Sequence, residues 1–284
     1  MNLAVKTESL RKEFGLGWFR GRLLAVESLD MEVRKGEVFG LLGPNGSGKS
    51  TAMKMILGLL RPTRGKAEVC GYRAGTIQAR RQIGFLPENP YFPNFLTGVE
   101  LVRYYGKLSG MGGSKLEARI EDLMELVRLG REAGKRPLRT YSKGMLQRAG
   151  LAGALVGDPE ILMLDEPTAG VDPAGSREIR DLILELRERG KTVIFSSHLL
   201  EQVEDVADRV IILHRGKKLR EGRLEDLLSQ KGEWQIRMQG LAEEDRRELR
   251  AWLGKRGVRI MAESAPRERL EDYFLRSLPE ETRK

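Results

Sequence analysis

Cysteine and histidine are scarce in this chain of 284 residues, which has one cysteine, Cys70, and two histidines, His198 and His214. A single cysteine cannot close an internal disulfide, which suits a reducing cytoplasm, and we expect Cys70 to be a small core residue on a strand. No apolar run approaches the roughly 20 residues of a membrane-spanning helix. The N-terminus also lacks the apolar stretch and small-residue cleavage site of a secretory signal.

Basic residues outnumber acidic ones, 50 to 41, which gives a formal net charge of +9. Such a charge admits nucleic acid, an anionic membrane surface or an anionic ligand as a partner. The basic residues are spread along the chain and mixed with acids, as in Arg187-Glu188-Arg189, which is typical of solvated helix faces. The length fits one large domain, or a domain of about 200 residues with a smaller appendage.

Short β-rich runs alternate with helical segments, the pattern of an α/β protein whose parallel or mixed sheet is covered by helices. We predict strands at residues 3–7, 25–33, 37–42, 66–69, 83–86, 161–164, 192–195, 210–214 and 217–221. We predict helices at residues 49–59, 98–109, 114–127, 145–156, 173–189 and 199–206.

The pattern changes after Gly222. We predict helices at 224–229, 243–255 and 267–278, and strands at 234–238 and 258–261. The sequence therefore predicts a main domain at residues 1–223 and a small α+β C-terminal domain at residues 224–284.

A glycine-rich loop follows the strand predicted at 37–42. It consists of Gly43, Pro44, Asn45, Gly46, Ser47, Gly48, Lys49 and Ser50 and matches the P-loop pattern. Its glycines let the backbone turn N–H groups inward as an anion-binding nest at a helix start. Lys49 supplies positive charge for the β- and γ-phosphates, and Ser50 a hydroxyl for Mg²⁺. We predict a nucleotide-phosphate site that also includes Thr51; a dinucleotide site is excluded because no Gly-x-Gly-x-x-Gly follows a strand.

Two carboxylates, Asp165 and Glu166, directly follow the apolar strand predicted at 161–164. We expect this strand to lie beside the P-loop strand, where it delivers Asp165 to Mg²⁺ and Glu166 to an attacking water. A general base must reach that water, and a strand end beside a phosphate gives it that reach. The alternative is a pair of solvated acids at a strand end.

Three further segments carry a resemblance to a family. Tyr141-Ser142-Lys143-Gly144-Met145 looks like a variant of the ABC signature Leu-Ser-Gly-Gly-Gln, Ala169-Gly170-Val171-Asp172 is similar to the D-loop, and Ser196-Ser197-His198 is similar to the switch-histidine segment. With the P-loop and the acid pair, five segments stand in the family order between about residues 3 and 222. The chain resembles the nucleotide-binding subunit of ABC transporters.

The resemblance implies a P-loop NTPase fold with an ABC-type helical subdomain, at about residues 90–157, and an antiparallel β subdomain. It also implies that two such domains pair head to tail, with each ATP lying between one P-loop and the Ser142 and Gly144 of the partner. Ser142 as an ordinary helix cap is the alternative. Lys143 and Met145 depart from the family pattern, whereas Ser142 and Gly144 keep it.

Further site residues follow from the same resemblance. His198 is the switch that binds the γ-phosphate, and the catalytic set is Glu166, His198 and Lys49. Glu88 stands where the Q-loop glutamine is usual, which gives Ser50, Glu88 and Asp165 as Mg²⁺ ligands. Phe14 is the aromatic residue that stacks on adenine, with Trp18 or Phe19 as alternatives in an inserted hairpin loop.

Glu88 together with the Lys143-containing signature is similar to a subgroup that has many exporters of drugs and lipids. We therefore expect an ATPase that powers export through a separate membrane permease, at the inner face of the cell membrane, as a pair of ATPase subunits. The aromatic segment at residues 91–95 either receives a helix of that permease or packs beneath the helical subdomain. No nucleic-acid partner is expected, although a non-transport ABC ATPase that acts on nucleic acid or ribosomes is the alternative.

Overall fold

The computed structural model describes residues 2–15, 21–229, 236, 238 and 240–261. The chain divides into two compact units, residues 1–228 and 229–284. This division falls after a short helix that the sequence places at the start of the second domain. No helix in the described ranges has the length and apolar character that a bilayer span requires.

The described residues of the first unit form ten strands in two sheets. The strands are β1 (Leu3–Gly15), β2 (Arg22–Arg34), β3 (Val38–Leu42), β4 (Arg64–Val69), β5 (Tyr72–Arg73), β6 (Ile83–Leu86), β7 (Ile161–Asp165), β8 (Thr192–Ser197), β9 (Arg209–His214) and β10 (Lys217–Arg223). One sheet has the order β2-β1-β4-β5, and the other has the order β10-β9-β3-β8-β7-β6.

The larger sheet is parallel from β9 to β6, with β10 added antiparallel to β9. Strands β3, β7 and β8 are buried along their whole length, as continuous apolar runs in a sheet covered on both faces should be. The predicted adjacency of the P-loop strand and the Asp165 strand is wrong, because β8 lies between β3 and β7. Sequence pattern identifies strands, but their order depends on how each crossover packs.

The smaller sheet is antiparallel, and β1 and β2 form its long hairpin, which is paired as far as Gly15 and Arg22. The register shifts several times along this pair, so the ribbon is irregular. Residues 16–20, including Trp18 and Phe19, lie outside the described residues. The alternative that one of these two rings stacks on adenine is therefore not tested.

Ten helices occur in the two units, nine in the first and one, α10, in the second. They are α1 (Lys49–Ile56), α2 (Ile77–Arg81), α3 (Gly98–Leu108), α4 (Gly113–Leu126), α5 (Arg131–Gly134), α6 (Lys143–Leu155), α7 (Pro173–Glu188), α8 (Leu200–Glu204), α9 (Leu224–Leu228) and α10 (Glu243–Lys255), with a 3-10 turn at Leu138–Thr140. This count covers the described part of the chain.

Local sequence explains where several helices begin. At α3, Thr97 and Glu100 form a reciprocal capping box, in which each side chain bonds the backbone N–H of the other residue. At α7, Asp172 accepts a hydrogen bond from the Gly175 amide, and Pro173 occupies the first helical turn. These signals are in the sequence, and the predicted starts at 98 and 173 are confirmed.

Alternate residues of β3 face two separate cores. Val38 and Leu42 contribute to a core shared with α3, α4, α6 and α7, while Phe39 and Leu41 contribute to one shared with α1 and the smaller sheet. The larger sheet is thus sandwiched between a helical layer and an antiparallel β layer. This confirms the predicted fold class, in which an α/β core carries a helical and an antiparallel β subdomain.

Several expectations fail locally. Cys70 is half-buried in the turn after β4 with a φ of 47°, not on a strand, and burial raises the pKa of its thiol. Residues 258–261 have no regular structure. A strand needs a partner strand, and the described residues of the second unit contain no strand. Elements β5, α2 and α5 are short and went unpredicted. The helix predicted at 267–278 and most of the strand at 234–238 fall outside the described residues.

Helix α6 lies very close to β6. A Cβ on Gly84 of β6 would come within 2.3 Å of the carbonyl oxygen of Ala154 on α6. We predict that Gly84→Ala lowers the free energy of unfolding by about 1–3 kcal/mol, because backbone cannot yield to the added methyl group. Urea denaturation measures the change.

Gly112→Ala is the matched control, since Gly112 is extended with a φ of −163° and has no heavy atom within 4 Å of the added carbon. Equal stability of the two variants would contradict the close packing of α6 on β6.

Candidate active site

The P-loop leaves β3 and enters α1 through three glycines with positive φ, namely Gly43, Gly46 and Gly48. At Gly43 the requirement is also steric, because a Cβ would lie 2.1 Å from the carbonyl oxygen of Leu213. The loop therefore closes tightly over the sheet edge. This conformation exposes successive backbone N–H groups at the start of α1, as an anion-binding nest does.

Lys49 is the first residue of α1 and is 5% exposed. Its ammonium donates to the carbonyl oxygen of Gly43 at 2.7 Å and lies 3.2 Å from Oε1 of Glu166. The positive charge of Lys49 thus lies between the P-loop and the acid pair. A buried cation needs such a partner, because its desolvation is costly.

Ser50 and Asp165 meet although their strands are not neighbours. The Ser50 hydroxyl donates to Oδ1 of Asp165 at 3.0 Å. Ser196 of the intervening β8 donates to the same oxygen at 2.6 Å and accepts from the Glu166 amide at 3.0 Å. The parallel register, which pairs Asp165 with Ser196, explains how β8 supports the acid pair.

Ser196 is a site residue whose role sequence reasoning missed. It lies two positions before His198 and is fully buried at the end of β8. The sequence does show a hydroxyl residue near the end of a buried strand that leads to His198. That this hydroxyl contacts the acid pair depends on the strand order, which the sequence pattern does not give.

Glu166 follows β7 with a φ of 49°, in the left-handed region that non-glycine residues rarely occupy. Its Oε2 accepts from the backbone N–H of His198 at 3.3 Å and lies 2.9 Å from Nδ1 of the same residue. The ionised carboxylate can only accept, so this contact requires the proton on Nδ1. Glu166 is buried, whereas the His198 side chain is 39% exposed.

Two buried oxygens at this site are unsatisfied. Ser47 Oγ and Glu166 Oε1 have no hydrogen-bond partner within the described part of the chain, although Lys49 pairs with Glu166 by charge at 3.2 Å. The neighbouring Ser50–Asp165 pair gives one hydroxyl and one carboxylate for a cation. Such a small donor set suits Mg²⁺, which completes its shell with phosphate oxygens and water.

Glu88 is exposed on the segment after β6. Its carbonyl oxygen accepts from the side chain of Gln147 at 3.0 Å. In the described ranges, no hydrogen bond or ion pair joins its carboxylate to Ser50 or Asp165. The structure therefore brings these two predicted metal ligands together and leaves Glu88 apart.

Ser142 caps α6 and accepts from the amide of Met145 at 3.3 Å. Gly144 is buried in the first turn of the helix, where a Cβ would come within 3.1 Å of Val171 in the predicted D-loop. Among the described residues, no hydrogen bond or ion pair joins Ser142 or Gly144 to the P-loop of the same chain.

Phe14 lies near the tip of the β1–β2 hairpin and is 36% exposed. The ammonium of Lys12 sits 5.1 Å from the centre of its ring, a cation–π arrangement that occupies one face of an aromatic ring. An adenine stacked on Phe14 would therefore take the opposite face.

Known proteins share this sequence pattern. The model of the protein family described as "ABC transporter" matches residues 26–169. An uncharacterised ABC transporter ATP-binding protein of Synechocystis is 38% identical over 97% of this chain and 85% of its own length. The bacitracin transport ATP-binding protein BcrA of Enterococcus faecalis is 38% identical over 80% of this chain and 71% of its own.

Solved structures share the fold. A dimeric ATP-binding cassette in a post-hydrolysis state with ADP and Pi is 27% identical, with a TM-score of 0.71, over 78% of this chain and 98% of that chain. The ATP-binding subunit of an ABC transporter is 30% identical, with a TM-score of 0.68, over 79% of this chain and 91% of that one. The chain with this P-loop and acid pair belongs to the ABC transporter family, as an ATP-binding subunit with ATPase activity.

Proposed function

We propose that this subunit powers export through a separate membrane permease, by the ATP-driven closing of two copies of the chain. The observation that carries the proposal is the division of the site. Lys49, Glu166 and His198 converge on the P-loop, whereas Ser142 and Gly144 start a different helix of the same chain. A second chain is the natural source of the missing half.

Each residue has a role in hydrolysis. The P-loop amides and Lys49 hold the β- and γ-phosphates, and Phe14 stacks on adenine. Ser50 and Asp165 would hold Mg²⁺, which would neutralise phosphate charge. Glu88, which contacts neither of them in this structure, is the third proposed ligand. Glu166 accepts the proton of the attacking water, and His198 orients the γ-phosphate and that water.

Closure by a second copy follows from the chemistry at the start of α6. Ser142 offers a hydroxyl, and the first turn of α6 offers free N–H groups and the positive end of the helix dipole. These groups suit the γ-phosphate of an ATP bound to another P-loop. Two identical chains that pair in this way form an isologous interface with two equivalent sites.

The permease contact is assigned to the segment after β6. Tyr91 and Phe95 are 94% and 75% exposed, whereas Phe92 is buried against the helical layer. Backbone bonds from Leu138 to Leu96 and from Arg139 to Asn94 fix this segment. Two rigidly presented rings suit an apolar helix of a membrane partner.

Export is the direction that the relatives support. One relative is named for bacitracin transport and another for linearmycin resistance. Glu88 and Lys143, which depart from the general family pattern, are similar to the residues of the exporter subgroup at these positions. Attachment to the permease would hold the chain at the inner face of the cell membrane.

Lys49→Ala should weaken ATP binding by roughly 10- to 100-fold, because the charge-assisted contact to phosphate is lost. Equilibrium binding of a fluorescent ATP analogue measures the change. Lys54→Ala is the control, since Lys54 is an exposed lysine on the same helix. Unchanged affinity in Lys49→Ala would remove Lys49 from the phosphate site.

Glu166→Gln should keep ATP affinity and lower turnover by roughly 10²- to 10⁴-fold, the usual contribution of a general base. With ATP bound and hydrolysis blocked, the variant should accumulate as a closed dimer, which size-exclusion chromatography with light scattering detects. Glu188→Gln, the same exchange at an exposed position of α7, is the control. Brisk hydrolysis by Glu166→Gln would exclude Glu166 as the base.

Tyr91→Ala combined with Phe95→Ala should lower the capture of the co-expressed permease by about tenfold or more, because aromatic side chains often dominate interface energy. ATP binding by the isolated variant should be unchanged. Tyr72→Ala, at an exposed tyrosine of the smaller sheet, is the control.

Full capture by the double variant would reject this docking site. If the native chain captured no membrane protein and instead bound nucleic acid with a steep salt dependence, the transport role itself would fail.

A further inference from the structure

Helix α6 packs on β6 and on the segment that follows it. Beyond the contact between Gly84 and Ala154, a Cβ on Gly150 of α6 would meet Leu86 at 2.6 Å and Phe92 at 3.0 Å. The helix that begins at Ser142 therefore runs against the strand that leads to Glu88. Ser142 and Glu88, two predicted site residues, both lie toward the same end of this contact.

Gln147 makes the polar connection between them. It is 1% exposed on α6, and its Nε2 donates to the carbonyl oxygen of Glu88 at 3.0 Å. Its Oε1 is buried and has no hydrogen-bond partner among the described residues. The side-chain amide is thus only half satisfied, and its one hydrogen bond in the described part of the chain goes to the backbone at the Q-loop position.

Stability does not account for a glutamine at this position. A buried polar atom without a partner destabilises the folded state by about 1–3 kcal/mol, while one ordinary hydrogen bond contributes about 1 kcal/mol. A methionine has a similar shape and would leave no orphaned atom. The carbonyl of Glu88, which lies on an exposed residue, could then bond to water.

We propose that Gln147 is a positioning residue that ties Glu88 to the signature helix. By holding the Glu88 carbonyl, it fixes the backbone that carries the Glu88 carboxylate. Any shift of α6 when Ser142 engages a second copy is then passed to Glu88. This inference rests on the metal-binding role given to Glu88 in the proposed function.

A double-mutant cycle in the full chain tests the proposal. Gln147→Met should lower kcat by about tenfold, as is usual when the support of a metal ligand is lost, while KM for ATP changes less than twofold. The unfolding temperature without ligand should not fall. The further rise in unfolding temperature that Mg²⁺ gives over ATP alone should shrink, since that rise reports metal-dependent binding.

Glu88→Ala removes the carboxylate and keeps the carbonyl that Gln147 holds. In that background, Gln147→Met should cause no further loss of kcat, because residues that act through one another are not additive. Leu151→Met, at a fully buried position of the same helix, is the control for repacking.

The outcomes separate the two claims. An equal loss from Gln147→Met in both backgrounds, or a loss that follows a lower unfolding temperature, overturns the positioning role. If Glu88→Ala impairs turnover and Gln147→Met does not, the positioning role fails alone. If Glu88→Ala leaves both kcat and the Mg²⁺ response unchanged, the metal-binding role of Glu88 fails and the positioning role fails with it.

Discussion

The buried ion pair between Lys49 and Glu166 joins the P-loop to the acid pair at the end of β7. It spans 3.2 Å between side chains that are 6% and 8% exposed. Neither charge could remain buried alone, because the attraction of a close partner offsets the cost of removing each from water. In the proposed function, phosphate replaces Glu166 as the anion beside Lys49. Its arrival would free Glu166 Oε1 for water, so that ATP binding and the activation of the proposed base would be one event.

The sheet makes this pairing geometrically inevitable once its strand order is set. Parallel strands end at the same edge, so the P-loop after β3, His198 after β8 and the acid pair after β7 emerge side by side. Ser196 spans the gap that β8 introduces by contacting both Asp165 and Glu166. The antiparallel sheet and the helical layer cover the two faces and leave this edge open to ligand.

Much of this arrangement could be predicted from residues alone. Helix starts at Thr97 and Asp172 follow from side chains that bond locally, and buried strands follow from continuous apolar runs. The position of β8 between β3 and β7, and with it the role of Ser196, depends on contacts between segments distant in the sequence. The strand predicted at 258–261 fails for a related reason. Its composition favoured β structure, but a strand requires a neighbour. Cys70 instead lies in the turn between β4 and β5, with a φ of 47°.

Strand β10 forms one edge of the larger sheet, and it lies against β2 of the smaller sheet, where Lys218 donates to the carbonyl oxygen of Asp30 at 2.6 Å. Lysine is common on such edges because a charged ammonium opposes the pairing of one sheet with another. Lys217 and Lys218 both lie here, and the first four residues of the strand are exposed. Both lysines are also paired with acids, Lys217 with Glu27 and Lys218 with Glu221. Another sheet could add to this edge only by displacing those ion pairs.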